Sequence, residues 1–177
     1  MKKIAVVIGH DKKSPGAWSP FLKKTEYTYN SEVAEYLKGI ADIYNRPDVG
    51  GYTSQMRKLA EILNPKKYDL VIELHFNSFD KIANLKGIGT EVVVYPGNPK
   101  TKKFGEAYCD MVSKKYDLEN RGLKEGVSGG RGWGFLSMIN APAIILEPFF
   151  GDEAESAKFE HPGKYAEILK DLICNYE

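Results

Sequence analysis

Two of the three histidines in the sequence follow short apolar runs that are typical of buried strands. His10 comes two residues after the run Ile4–Ile8, and His75 ends a run that starts at Leu70. In an open parallel sheet the carboxyl ends of the strands line one crevice, so these two imidazoles are expected to lie close together. With a carboxylate, two histidines form a ligand set of catalytic zinc sites. The pattern predicts a zinc site; the alternative is two separate histidines satisfied by backbone or water.

The third zinc ligand is expected to be a carboxylate, because neither cysteine nor the third histidine stands in a suitable context. Glu26 is the best candidate, since it begins the first predicted helix directly after the loop that follows His10. The alternative is that Glu26 only complements the helix dipole from the first helical turn. His161 precedes Pro162 between two predicted helices and is not expected to bind the metal.

Glu147 is expected to be the catalytic carboxylate. It ends the apolar run 143–146 and is followed by Pro148 and two phenylalanines. Burial among such neighbours raises the pKa of a carboxyl group towards the range in which it exchanges protons near neutral pH. The alternative is a structural salt bridge to Arg121 or Arg131.

Glu73 is expected to lie on the same face of its strand as His75, because side chains alternate across a strand. We expect Glu73 to contact a metal ligand and fix its orientation without binding the metal itself. The pattern leaves open a second role, in which Glu73 is itself a ligand.

The elements that must position these residues alternate between strand and helix. Apolar runs predict strands at 4–8, 40–46, 70–75, 92–95 and 143–146, and helical spacing predicts helices that begin near residues 25, 54, 101 and 165. The glycine-rich segment 120–134 is predicted to be a long loop. This order favours one α/β domain over residues 1–177, with three layers and a mostly parallel sheet flanked by helices.

Composition excludes several function classes. The 25 basic and 24 acidic residues give a net charge of +1, so no field of one sign exists to recruit nucleic acid. No stretch approaches the roughly 20 apolar residues that span a bilayer, and the apolar run at 4–8 is too short for a secretory signal. Cys109 and Cys174 are expected to be reduced thiols. We further expect a monomer that is synthesised in the cytoplasm without a signal peptide of its own.

Five segments, in order, resemble the zinc-dependent N-acetylmuramoyl-L-alanine amidases of the amidase-3 type, which occur in bacterial autolysins and phage endolysins. The similarity covers nearly the whole chain. The segments are Gly9-His10, Glu26, Leu-His-Phe-Asn-Ser at 74–78, Asn-Arg-Gly-Leu-Lys at 120–124 and Ile-Leu-Glu-Pro-Phe-Phe at 145–150. The chain departs from the family pattern after His10, at Glu73 and at Pro148. These departures alter the rim of the site rather than its ligands, so they bear on subsite preference more than on the reaction.

The resemblance implies hydrolysis of the amide bond between N-acetylmuramic acid and L-alanine in peptidoglycan. Zinc is the implied cofactor: it would activate water and polarise the carbonyl, while Glu147 would move the protons. Asn77 and Arg121 are the expected substrate-binding residues. The implied zinc ligands are His10, Glu26 and His75.

The sequence shows no cell-wall-binding module beside this domain, which favours an endolysin that acts on the wall after its release from the cytoplasm. Two other classes stay open. A zinc carboxypeptidase-like peptidase on a similar fold would not need the sugar. A non-catalytic cell-wall-binding domain would have no need of Glu147.

Overall fold

The computed structural model describes residues 2–79 and 88–177. The strands are β1 (Ile4–Ile8), β2 (Trp18–Ser19), β3 (Lys24–Thr25), β4 (Asp42–Asn45), β5 (Leu70–Leu74), β6 (Thr90–Val94), β7 (Asn120–Glu125) and β8 (Ala143–Glu147). The α-helices are α1 (Glu26–Glu35), α2 (Tyr52–Leu63), α3 (Pro99–Tyr116), α4 (Trp133–Met138) and α5 (Pro162–Cys174). Short 3-10 helices cover Asn64–Lys66 and Ala154–Phe159.

The main sheet has the strand order β4-β1-β5-β8-β6-β7, and β2 pairs with β3 in a separate two-stranded ribbon. Strands β4, β1, β5 and β8 are parallel to one another. Strand β6 runs antiparallel to β8, and β7 runs parallel to β6. The predicted mostly parallel sheet is confirmed. Because β1, β5 and β8 are parallel neighbours, their carboxyl ends meet at one edge of the sheet.

Two hydrophobic cores lie on opposite faces of this sheet. Side chains alternate between them along each strand, so that Val6 of β1 lies in one core and Ala5 in the other. Helices α1, α3 and α5 cover the first core, and α2 and α4 cover the second. Since both faces are buried, the central strands are continuous apolar runs. The predicted three-layer domain is confirmed.

The prediction of one long loop over residues 120–134 is wrong. Residues Asn120–Glu125 form the edge strand β7, which pairs with β6 from Thr90 to Val94. The open edge of β6 supplies backbone partners that outweigh the low strand propensity of a segment containing Gly122. Gly122 has a φ of 67°, next to a register shift in this pair. Helix α4 begins at Trp133, within the same segment.

Helix α1 matters most for the site because Glu26 is its first residue. Thr25 is its N-cap: the Thr25 hydroxyl accepts a hydrogen bond from the Thr28 backbone N–H at 3.3 Å. The Glu26 backbone N–H donates to Ala17 at 2.9 Å, which ties the helix start to the loop after β1. Among the described helices, none is long and apolar enough to cross a membrane.

Candidate metal centre and active site

The three predicted zinc ligands lie together at the carboxyl edge of the sheet. His10 follows β1, His75 follows β5, and these strands are paired up to Ile8 and Leu74. Glu26 is brought to the same point by the start of α1. His10 has a φ of 65°, a left-handed conformation that turns the chain sharply after β1.

One carboxylate contacts both imidazoles. Oε1 of Glu26 lies 2.7 Å from Nδ1 of His75, and Oε2 lies 3.1 Å from Nε2 of His10. The two histidine rings meet edge to face, with centroids 5.0 Å apart. One nitrogen of each ring and one oxygen of Glu26 lie within 4.8 Å of one another. The arrangement can hold one metal ion between three side chains.

Two glycines let these ligands approach the backbone. A Cβ atom at Gly9 would lie 2.6 Å from ring atoms of His75. A Cβ atom at Gly16 would lie 2.5 Å from Oε2 of Glu26 and 2.7 Å from Cδ2 of His10, and Gly16 has a φ of 77°. Only glycine fits either position without displacing a ligand.

The charges of the cluster favour a bound cation. Burial raises the pKa of Glu26, but hydrogen bonds and charges from His10 and His75 outweigh it and hold that pKa well below its usual range. Burial lowers the pKa of His75, yet the charges and hydrogen bonds of Glu73 and Glu26 raise it to about 10. Two ionised carboxylates therefore stabilise a positive charge at this point. The His–Glu–His donor set fits zinc, which binds imidazole nitrogen and carboxylate oxygen.

Glu147 ends β8 and lines the same cavity of about 470 Å³ as the three predicted ligands. Its side chain is buried, and Oε2 has no hydrogen-bond partner among the described residues. Burial raises the pKa of Glu147 to about 7, although the charges of His75 and Arg131 act to lower it. The direction is the one predicted from its apolar neighbours. This carboxyl group can exchange protons near neutral pH.

The salt bridge considered as the alternative for Glu147 is weak in the structure. Nη1 of Arg131 lies 3.7 Å from Oε1 of Glu147. Arg121 instead donates from Nε to Glu91 at 2.9 Å, and its guanidinium lies 5.1 Å from the centre of the Phe150 ring.

Glu91 is a buried carboxylate that sequence reasoning missed. It lies opposite Glu147 in the β6–β8 pair and accepts hydrogen bonds from Asn77 and Arg131 at 2.8 Å each. Burial raises its pKa, but the hydrogen bonds and charges of Arg121 and Arg131 hold it below its usual value. The sequence does contain a pattern that could have identified Glu91. Like Glu147, it is the single acidic residue of a mainly apolar strand.

The two predicted substrate-binding residues, Asn77 and Arg121, differ in their position relative to the cavity. Asn77 lines the cavity, with its amide held by Glu91 and Arg131. Arg121 lies behind Glu91, and Arg131 is the arginine of this network that lines the cavity. Arg131 is half exposed, and no motif pointed to it. His161 lies on the surface beside Glu160, apart from the predicted ligands.

Arg46 is a second residue that sequence reasoning missed. It follows β4, lines the cavity, and forms a buried ion pair with Glu73 at 2.8 Å. Nothing in the sequence around Arg46 distinguishes it from the other arginines, because its partner lies two strands away in the sheet.

Comparisons with known proteins agree with this architecture. The chain is similar to "Catalytic domain of CD27L endolysin targeting Clostridia Difficile", with a TM-score of 0.79, 24% identity and coverage of 100% of this chain and 99% of that chain. It is similar to the catalytic domain of CwlV, an N-acetylmuramoyl-L-alanine amidase from Bacillus (Paenibacillus) polymyxa, with a TM-score of 0.73, 21% identity and coverage of 98% and 97%. At these identities the likeness shows the fold.

The same fold forms part of a longer protein. Cwp6 from Clostridium difficile matches with a TM-score of 0.73 and 23% identity, covering 98% of this chain and 28% of Cwp6. No curated protein matches the chain. The model of the Amidase_3 family, described as N-acetylmuramoyl-L-alanine amidase, matches residues 4–175. Because this match spans almost the whole sequence and the fold agrees, the chain belongs to the Amidase_3 family of N-acetylmuramoyl-L-alanine amidases.

Proposed function

We propose that this protein is a zinc-dependent hydrolase of the amide bond between N-acetylmuramic acid and L-alanine in peptidoglycan. One observation carries the proposal. A His–Glu–His cluster and a separate buried carboxylate, Glu147, line the same cavity. Metal-assisted hydrolysis needs both parts, a ligand set and a group that moves protons. Membership of the amidase family indicates which bond would be hydrolysed.

His10, Glu26 and His75 would hold the zinc ion. The fit rests on the donor types, on their spacing within 4.8 Å, and on the charges that already favour a cation there. When bound, zinc supplies Lewis-acid polarisation of the scissile carbonyl and makes water a stronger nucleophile at neutral pH.

Glu147 would carry the proton between water and the leaving group. The oxygen of water forms a bond to the carbonyl carbon, and the carbon–nitrogen bond breaks. Glu147 accepts a proton from the water and gives it to the nitrogen, so that the products are a lactyl carboxylic acid and the free amine of L-alanine. A pKa of about 7 suits a group that must both accept and release a proton. A wall-binding module without catalysis has no use for such a buried carboxylate.

The cavity wall would supply substrate contacts. Asn77 and Arg131 both line the cavity and are fixed by Glu91, so their polar atoms are held in place before substrate arrives. We propose that Asn77 contacts the substrate directly, and that Arg121 acts through Glu91. An endolysin role is supported by the similarity in fold to the endolysin catalytic domain. In that role the substrate is the cell wall.

The test is digestion of purified cell-wall sacculi, with mass spectrometry of the released fragments. The proposal predicts new N-terminal alanine and no new reducing sugar ends. New reducing ends would indicate a glycosidase, and release of amino acids from within the peptide alone would indicate a peptidase. The purified protein should hold about one zinc per chain, and chelation should abolish hydrolysis until zinc is restored. Full activity after chelation would overturn the proposed mechanism.

A further inference from the structure

Glu73 is a fully buried acid at the base of the candidate zinc site. It lies in the middle of the sheet on β5, between Val7 of β1 and Ile145 of β8. Its side chain is 0% exposed. An ionised carboxylate in such a place is costly unless charged or polar groups compensate it. The side chains that compensate Glu73 show what it does.

Arg46 supplies the opposing charge. Nε and Nη2 of Arg46 lie 2.9 Å and 2.8 Å from Oε1 of Glu73, and the Arg46 side chain is only 8% exposed. The guanidinium is also held 5.4 Å from the centre of the Tyr52 ring. With the guanidinium of Arg46 at hydrogen-bonding distance from Oε1, the carboxylate of Glu73 is charge-paired and held in one position.

The second oxygen of Glu73 faces the imidazole of His75. Oε2 lies 3.3 Å from Nε2 of His75, and because Oε2 has no hydrogen-bond partner among the described residues, it is free to accept one from that ring. Nη2 of Arg46 lies 3.1 Å from the same Nε2. Guanidinium N–H groups only donate, so Arg46 cannot accept a hydrogen bond from His75. When Nε2 of His75 carries a proton, the carboxylate of Glu73 is therefore the acceptor for both Arg46 and His75.

The other nitrogen of His75, Nδ1, faces Glu26. Nδ1 lies 2.7 Å from Glu26, and the ring contacts the backbone at Gly9 so closely that a Cβ there would lie 2.6 Å away. The ring is thus held between Glu26 on its Nδ1 side and Glu73 on its Nε2 side. Among the described residues, the cluster whose ligand atoms lie within 4.8 Å of one another comprises His10, Glu26 and His75, and Glu73 is not a member of it.

We propose that Glu73, anchored by Arg46, is a positioning residue that accepts a hydrogen bond from Nε2–H of His75 and so presents Nδ1 to the metal. This inference rests on the proposed zinc site. Metal-binding histidines commonly donate their second N–H to a carboxylate, which fixes both tautomer and ring orientation. Of the two roles that the sequence leaves open for Glu73, the geometry points to this one.

The first test is the zinc dissociation constant, measured by competition with a chelator. Glu73→Gln should weaken zinc binding by roughly tenfold to a hundredfold, the usual effect of losing such a partner. Glutamine replaces one of the two carboxylate oxygens by an NH2 group, so when its oxygen stays on Arg46 the group that faces His75 can no longer accept a hydrogen bond. Glu91→Gln is the matched control: it also removes a buried carboxylate from arginine partners, yet Glu91 contacts none of the three candidate ligands, so its zinc affinity should change far less than that of Glu73→Gln.

A double variant separates positioning from a structural role. Glu73→Leu with Arg46→Met removes both charges, which should restore much of the thermal stability that either single change loses. If Glu73 positions His75, zinc binding should stay weak in this stable double variant. Zinc affinity that recovers together with the melting temperature would overturn the inference and leave a purely structural ion pair.

Nitrogen-15 NMR of the histidines gives a readout independent of affinity. In the zinc-loaded parent, His75 should show a protonated Nε2 and a metal-bound Nδ1. Metal on Nε2, or parent-like zinc affinity in Glu73→Gln, would overturn the positioning role while leaving the zinc hydrolase proposal intact. A parent protein that binds no zinc would overturn the proposed function, and this inference with it.

Discussion

Nη1 of Arg131 lies 3.7 Å from Oε1 of Glu147, which is beyond hydrogen-bonding distance. The short contacts of Arg131 go instead to Asn77 at 2.7 Å and to Glu91 at 2.8 Å. Glu91 therefore draws the arginine away, and Glu147 stays buried beside a cation that does not neutralise it. This separation explains why burial dominates at Glu147 and raises its pKa to about 7.

The first prediction separates metal binding from proton transfer. Glu147→Gln keeps the size and shape of the side chain but cannot accept a proton at neutral pH. Hydrolysis of sacculi should fall by roughly a hundredfold or more, the scale of losing a positioned acid–base group, with zinc content unchanged. His75→Ala is the contrasting variant, because it should lose both zinc and activity. A zinc-loaded Glu147→Gln protein with the parent rate would contradict the assignment.

The second prediction concerns stability and pH in the metal-free protein. The pKa of Glu147 is raised from 4.5 to about 7, so its neutral form stabilises the fold fully below pH 4.5. That contribution is lost as the pH rises through 7, because the buried group must then ionise. Glu147→Gln removes this loss. At pH 8 the variant should be more stable than the parent by an amount on the order of 3 kcal/mol, and the difference should vanish near pH 4.

The measurement for this second prediction is urea unfolding of both chelated proteins across pH 4 to 8. A structural salt bridge at Glu147 predicts the opposite sign, with the variant less stable at pH 8. Chelation is needed because the charge of a bound zinc ion would lower the pKa of a neighbouring carboxyl group.

Much of the fold was predictable because the central strands are buried on both faces. Such strands must be continuous apolar runs, and Ile4–Ile8 and Leu70–Leu74 are visible as such in the sequence. The proximity of His10 and His75 followed from the rule that parallel strands end at one edge of the sheet. Residues that directly follow such strands can therefore be placed from the amino-acid sequence alone.

The polar network of the site was harder to predict, because its members come from the sheet edge and from loops. Arg131 stands in a glycine-rich segment without periodicity, and its partner Glu91 is 40 residues away. Strand β7 was missed because a neighbouring strand, rather than its own composition, determines its structure. Sequence reasoning finds residues fixed by local pattern and misses those fixed by a distant partner.

The third prediction concerns Glu91 and the pH dependence of hydrolysis. Glu91→Gln removes the negative charge that holds Arg131 away from Glu147. Arg131 should then pair with Glu147 and lower its pKa, so the acid limb of the pH–rate profile should move to lower pH. Arg131→Ala should move that limb to higher pH. Identical pH–rate profiles in the parent and both variants would show that Arg131 has no influence on the carboxyl group.

The fourth prediction tests the loop at Gly16, which lies against two of the three candidate zinc ligands. Gly16 has a φ of 77°, and a Cβ there would lie 2.5 Å from Oε2 of Glu26 and 2.7 Å from Cδ2 of His10. Gly129 has the same φ of 77°, but a Cβ there meets nothing within 4 Å. Both Gly→Ala variants should lose about 1 kcal/mol of stability from the left-handed backbone. Gly16→Ala alone should also displace Glu26 and His10, and weaken zinc binding at least tenfold.

The comparison uses chelator competition and thermal unfolding on both variants, so backbone strain cancels and only the contact with the ligands differs. Equal zinc affinity in Gly16→Ala and Gly129→Ala would mean that the metal is held elsewhere, or that the loop moves aside without cost to the ligands.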